Sequence, residues 1–136
     1  MLIKSFMSKN LVVVSPDTTI REAVREMKEH NVGAVVVKKD KEIVGIVTDR
    51  DIALSIVDGC DKKVEEIMSK NVAVIPEYAE LYEATKLMSE RNVRRLPVVD
   101  ENKNLVGMIS IDDIMMILIT ELSNVAEVIV RPSKLL

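Results

Sequence analysis

The sequence predicts an α+β fold, an α/β-type sandwich in which two copies of one strand-helix-strand-strand-helix unit pack with pseudo-twofold symmetry. Three observations predict it. The chain repeats itself: Met7-Ser8-Lys9-Asn10 returns 61 residues later as Met68-Ser69-Lys70-Asn71, and Ile20 to Ala23, Asn31-Val32 and Gly45 to Thr48 are echoed by Leu81 to Ala84, Asn92-Val93 and Gly107 to Ser110. Within each copy the apolar residues alternate between short strand-like runs and helical spacing. Two copies of this length are also too few for a solenoid that grows by stacking, so the halves must bury their apolar faces on each other.

Each copy opens with an apolar segment rich in β-branched residues, Leu11 to Val14 or Val72 to Ile75, closed by Ser15-Pro16 or by Pro76. An amphipathic helix follows. Ile20, Ala23, Val24 and Met27 fall at i, i+3, i+4 and i+7, and Leu81, Ala84, Thr85 and Met88 repeat that stripe. Thr19 and Glu22 have the spacing of a capping box. Two strands come next, Ala34 to Val37 and Ile43 to Val47, matched by Leu96 to Val99 and Leu105 to Ile109; polar turns, Lys38 to Glu42 and Asp100 to Asn104, separate them. A helix closes each copy, over about Asp49 to Val57 and about Ile111 to Asn124. The polar linker Asp58 to Lys63 divides the chain into units 1–60 and 61–124, leaving 125–136 as a helix extension that frays into a tail containing Pro132. Val64 to Met68 corresponds to Ile3 to Met7 at the head of the first copy.

With 136 residues and 48% hydrophobic content, the chain can bury one proper core or two small ones fused face to face. A net charge of −3 disfavours neutralisation of a nucleic-acid backbone, and 2% aromatic content without Trp removes the stacking platforms of a single-strand binder. The single cysteine, Cys60, excludes an intramolecular disulfide and suits a reducing compartment. The N-terminal segment is too short and polar for a signal peptide, and the longest apolar run, Ile114 to Ile119, is far below a membrane span. A cytoplasmic protein is expected, with neither nucleic acid nor membrane as partner.

The most specific marks are the opening Met-Ser with its apolar strand, the Asn-Val junction, and a closing G-x-x-[TS]-x-x-D. The last reads Gly45-Ile46-Val47-Thr48-Asp49-Arg50-Asp51 and Gly107-Met108-Ile109-Ser110-Ile111-Asp112-Asp113. On these residues each half resembles a CBS motif, and the pair resembles the tandem CBS (Bateman) module, from about Ile3 to about Asn124. The resemblance implies a non-catalytic regulatory module that takes adenine nucleotides (AMP, ADP or ATP), or NAD-type ligands or S-adenosylmethionine, in clefts between the motifs. It also implies kinship with the regulatory insert of IMP dehydrogenase, a homodimer through apolar helices, and an effector protein reached in trans.

The chemistry suits a nucleotide. A carboxylate accepts hydrogen bonds from both hydroxyls of a ribose diol, the role open to Asp51 and Asp113. Thr48 and Ser110 add a hydroxyl that both donates and accepts, while Gly45 and Gly107 leave room for a close approach within a strand. The same residues also read as helix N-caps, a hydroxyl followed by an acid in the first turn; the two roles are compatible. Family members that regulate kinases assemble each site crosswise. Carried onto this sequence, one cleft combines Thr48, Asp51, Ile46 and Arg50 with Lys70, Val72, Ala73, Arg94 and Arg95. The other combines Ser110, Asp113 and Met108 with Lys9, Leu11, Val12, Gly33 and Ala34. The first has guanidinium donors for a phosphate and is expected to bind charged nucleotides more tightly.

No metal is expected at His30, the sole histidine, nor catalysis at Cys60. Met27, Met88, Met108, Met115 and Met116 read as packing residues. The chain has no phosphate-loop lysine motif and no length for a barrel, so no enzyme and no required cofactor is expected. The competing reading is a structural or dimerisation module with vestigial clefts, in which the helix around Ile114 to Ile119, apolar nearly all round, is what matters.

Overall fold

The computed structural model describes residues 1–59 and 61–131; Cys60 and the tail around Pro132 lie outside the described residues. The first unit runs β1 (Val13–Val14), α1 (Ile20–His30), β2 (Ala34–Lys39), β3 (Glu42–Thr48) and α2 (Asp49–Ser55). The second runs β4 (Ile75–Pro76), α3 (Leu81–Arg91), β5 (Arg95–Val99), β6 (Leu105–Ser110) and α4 (Ile111–Val130). Each unit holds a three-stranded mixed sheet, ordered β1-β2-β3 and β4-β5-β6. The outer strand is parallel to the middle one, with Val13 opposite Val36 and Ile75 opposite Val98. The hairpin is antiparallel, with Val36 opposite Ile46 and Pro97 opposite Met108.

The opening strands are shorter than the sequence suggests, two residues each. Pro76 belongs to β4 instead of ending it. An edge position tolerates proline because no ladder bond is required of its nitrogen. The first hairpin is tighter than expected: Lys38 and Lys39 stay in β2, and Asp40 turns the chain at φ +57°. The capping box of Thr19 and Glu22 is formed, with both reciprocal bonds at 3.1 Å. Ile20, Ala23 and Met27 are buried, whereas Val24 at the rim of the stripe is 40% exposed. Both first helices end on an asparagine in the left-handed region, Asn31 and Asn92, each at φ 52°. That conformation is reached readily by Asn, which explains the Asn-Val junction.

The two cores share their segments. Val12, Ala23, Met27, Val35, Val37 and Val47 of the first unit pack with Val64, and Ile67 and Met68 flank them. Ile75, Ala84, Met88, Leu96, Ile109 and Ile114 of the second pack with Ile3, flanked by Phe6 and Met7. The leading segment of each copy, a single 3-10 turn over Ile3–Ser5 or Val64–Glu66, is therefore lent to the other copy. Backbone bonds hold the loan: Ile3 N–H donates to Ala79 O and Val64 N–H to Thr18 O, both at 2.8 Å. Isolated antiparallel bridges finish it, Ser8 with Met108 and Ser69 with Ile46.

This exchange accounts for the strand glycines. A Cβ on Gly107 would stand 2.6 Å from the Met7 sulfur, and one on Gly45 would collide with Met68. The group that approaches the glycine is a methionine of the lent segment, so Met-Ser and Gly-x-x-[TS] are two halves of one contact.

Candidate functional site

The ends of β3 and β6 share hollows with the starts of β5 and β2, one hollow at each of these two junctions. The larger, about 430 Å³, is lined by Ile46, Thr48, Asp49, Arg50 and Asp51 from the first unit and by Ser69, Val93, Arg94, Arg95 and Asp112. The smaller, about 220 Å³, is lined by Met108, Ser110, Asp112 and Asp113 from the second unit. Ser8, Asn10, Leu11, Val12, Asn31 to Ala34, Val36 and Arg95 complete it. The larger volume lies within the span of about 300–1,000 Å³ usual for small-molecule sites, and the smaller lies below it.

The backbone explains why each side chain is there. Ala34 pairs with Thr48 and Arg95 with Ser110 across the hairpins. Asp49 N–H donates to Gly33 O at 2.9 Å, and Ile111 N–H to Arg94 O at 2.8 Å, so each closing helix starts beside the head of the middle strand. The hydroxyl–acid pairs do cap these helices. Thr48 Oγ1 accepts from Asp51 N–H at 3.2 Å while Asp51 Oδ2 accepts from Thr48 N–H at 2.9 Å. Ser110 and Asp113 repeat the arrangement, both bonds at 3.1 Å. Capping occupies one oxygen of each half-buried carboxylate. The other has no partner among the described residues, and no fully buried side-chain polar atom there is unpaired, so Oδ1 of each acid is reachable from outside.

Of the expected residues, Thr48, Asp51, Ile46, Arg50, Arg94 and Arg95 line the larger hollow together, and Ser110, Asp113, Met108, Leu11, Val12, Gly33 and Ala34 line the smaller. Four expected residues stand apart. Lys9 and Lys70 are exposed and line neither hollow. Ala73 packs against the second core. Val72 lines a third, largely apolar hollow of about 720 Å³ between the hairpin turns, beside Lys41, Tyr78 and Lys103.

Arg95 differs in another way: assigned by sequence to one cleft, it lines both. Its Nη2 lies 2.9 Å from where a Gly33 Cβ would be, so the guanidinium crosses the gap and rests on the other unit's glycine. Arg95 is half-buried, and among the described residues it has neither an ion pair nor a side-chain hydrogen bond. Sequence reasoning missed Asp112, which also lines both hollows. The repeat carried a signal for it: Asp112 occupies the place of Arg50, a reversal of charge between the copies.

Away from the hollows, Glu26, Glu29 and His30 bring their ligand atoms within 4.8 Å of one another on α1. Glu26 Oε2 lies 3.2 Å from His30 Nε2, a pair about half exposed. The sequence offers His30 no Cys or His partner; its neighbours here are carboxylates one helical turn away or adjacent in the chain.

Comparison with known proteins agrees with this fold. The CBS domain model matches residues 3–58 and again 64–120. The CBS domain-containing protein YhcV of Bacillus subtilis is 41% identical over 115 residues, covering 82% of this chain and 81% of YhcV. Inosine-5'-monophosphate dehydrogenase of Methanocaldococcus jannaschii is 38% identical over 79% of this chain, which spans 21% of that enzyme. Among solved structures, the CBS domain pair of protein MJ0100, in complex with 5'-methylthioadenosine and S-adenosyl-L-methionine, superposes with TM-score 0.81 at 28% identity, over 89% of this chain and 98% of that one. Protein PAE2072 of Pyrobaculum aerophilum, complexed with AMP, superposes with TM-score 0.73 at 26% identity, over 83% of this chain and 89% of that one. The chain belongs to the CBS domain family and is a tandem CBS pair related to the one carried by inosine-5'-monophosphate dehydrogenases. Among the described residues no helix is long and apolar enough to cross a membrane.

Proposed function

We propose that this CBS pair is a non-catalytic sensor of adenine nucleotides of the AMP, ADP and ATP class, bound in the hollows between its units and read by a partner protein. One observation carries the reading: a half-buried guanidinium, Arg95, without a protein partner among the described residues, lines both hollows, and each hollow also holds a carboxylate with one reachable oxygen. A ribose diol answers the carboxylate and a phosphate answers the guanidinium. Relatives of the same fold hold AMP, or 5'-methylthioadenosine with S-adenosyl-L-methionine, which supports an adenosine-bearing ligand. In the larger hollow Thr48 and Asp51 take the ribose, and Arg50, Arg94 and Arg95 the phosphate. Ser110 and Asp113 take the ribose in the smaller.

Signalling requires that the nucleotide prefer one arrangement of the two units. Since both hollows are walled by both units, a ligand bridges them, and its binding energy is available for that choice. Titration of AMP and ATP against Arg95→Ala and Asp51→Ala tests the assignment. Affinity should fall in both variants, and unchanged affinity in both rules the assignment out. The second reading, a dimerisation module with vestigial clefts, has its own support in the exposed apolar residues of α4. Thermal melting with an adenosine-ligand panel separates the two, because a bound ligand raises Tm by mass action.

A further inference from the structure

We infer that Arg95 couples the two hollows: a phosphate bound in one weakens phosphate binding in the other. This rests on the nucleotide reading above and concerns how its two sites regulate each other. Arg95 lines both hollows from the start of β5. The matching position in the first unit is Ala34, so no second arginine mirrors it across the gap. The larger hollow also has Arg50 and Arg94; in the smaller, Arg95 is the one basic residue among the described lining, which also holds the acids Asp112 and Asp113.

The charge balance then fixes the sign. A guanidinium offers five N–H donors but one unit of charge. A phosphate in the larger hollow neutralises it and leaves the smaller hollow with only carboxylates. A second phosphate there meets those carboxylates and the first phosphate, with nothing of opposite sign beside it. By reciprocity the penalty is the same whichever hollow fills first. An uncharged nucleoside draws nothing from Arg95, so two such ligands bind independently. Asp112 sharpens the contrast. It stands where the first unit has Arg50, and it adds negative charge at the place the hollows have in common.

The test fills one hollow at a time. Ile46 and Met108 occupy equivalent strand positions, one in each hollow, so Ile46→Trp and Met108→Trp leave a single open site apiece. Calorimetry gives the AMP constant of each variant and both stepwise constants of the unmodified protein. For AMP, the product of the two stepwise constants should fall below the product of the single-site constants by about tenfold, an ordinary size for coupling between sites. For adenosine the products should agree, and Arg95→Met should erase the AMP deficit. Equal products for AMP, or a deficit that survives in adenosine or in Arg95→Met, overturns the coupling. Should either tryptophan variant fail to fold, phosphorus NMR replaces it. The resonance of the first bound AMP should shift as the second binds in the unmodified protein but not in Arg95→Met, and an unmoved resonance overturns the proposal. Two independent AMP sites sink the coupling alone, whereas no AMP binding at all sinks the nucleotide reading itself.

Discussion

On the proposed nucleotide reading Asp51 and Asp113 each divide one carboxylate between capping and ribose binding, and the two duties can be separated by substitution. Removing the side chain loses the N3 half of a capping box, the bond to the N-cap backbone N–H, together with any ligand contact. Asp51→Asn keeps an oxygen that can accept from Thr48 N–H but removes the charge. It should melt close to the unmodified protein and bind AMP more weakly; a variant that binds as before would leave Asp51 a cap only. Gly45 poses a packing question in the same terms. Gly45→Ala should cost about 1–3 kcal/mol by overpacking against Met68, measured by denaturant unfolding. A second change, Met68→Ala, should recover part of that loss, since the two side chains share one space. The repeat made Thr48, Asp51, Ser110 and Asp113 legible because both copies keep the same hydroxyl–acid spacing. It misled at Lys9 and Lys70, which belong to the same repeated tetrapeptide yet are exposed. After Lys70 the chain turns at Asn71, φ +56°, and the lysine stays outside.

At the scale of elements, helices α1 and α3 were legible from spacing alone, because apolar stripes at helical period have few other uses. Strand limits were not. Whether Lys38 joins β2 depends on its partner across the hairpin, Ile43, which no local pattern reveals. The closing helix α4 outruns the repeat: it continues to Val130, 20 residues in all, and gives way at Arg131, which is extended (φ −79°, ψ +145°). The sequence explains that end in retrospect, since the residue before a proline is driven out of the helical region, and Pro132 follows. The added turns carry uncovered apolar residues, Val125 56% exposed, Val128 76% and Ile129 77%, and continue the exposure of Leu122, 68%. Burial of such a face against a second copy is the expected outcome. Sedimentation should show a dimer that Leu122→Lys with Ile129→Lys converts to monomer without loss of fold by circular dichroism. A monomer at all concentrations in the unmodified chain would refute it.

For the whole molecule, the linker is not the boundary between packing units. A fragment cut as 1–60 carries a leading turn made for the second core and lacks Val64, which is fully buried in the first. A fragment spanning 9–72 brings Val64, Ile67 and Met68 to the core they fill. It should therefore fold better than 1–60, with sharper amide dispersion and a higher melting point; equal behaviour of the two would show that the lent segments add little. Nothing in the repeat could disclose this. Similarity between copies says which residues correspond, and it is silent on which copy each one touches.

The loan of leading segments also changes what the covalent connection between the halves is for. Were the chain nicked between Asp58 and Gly59, each piece would still be threaded through its neighbour by Ile3 on one side and Val64 on the other. Such pieces, made separately and mixed, are the natural material for reconstitution, and their recovery would depend on mutual capture instead of on the peptide bond that joins them.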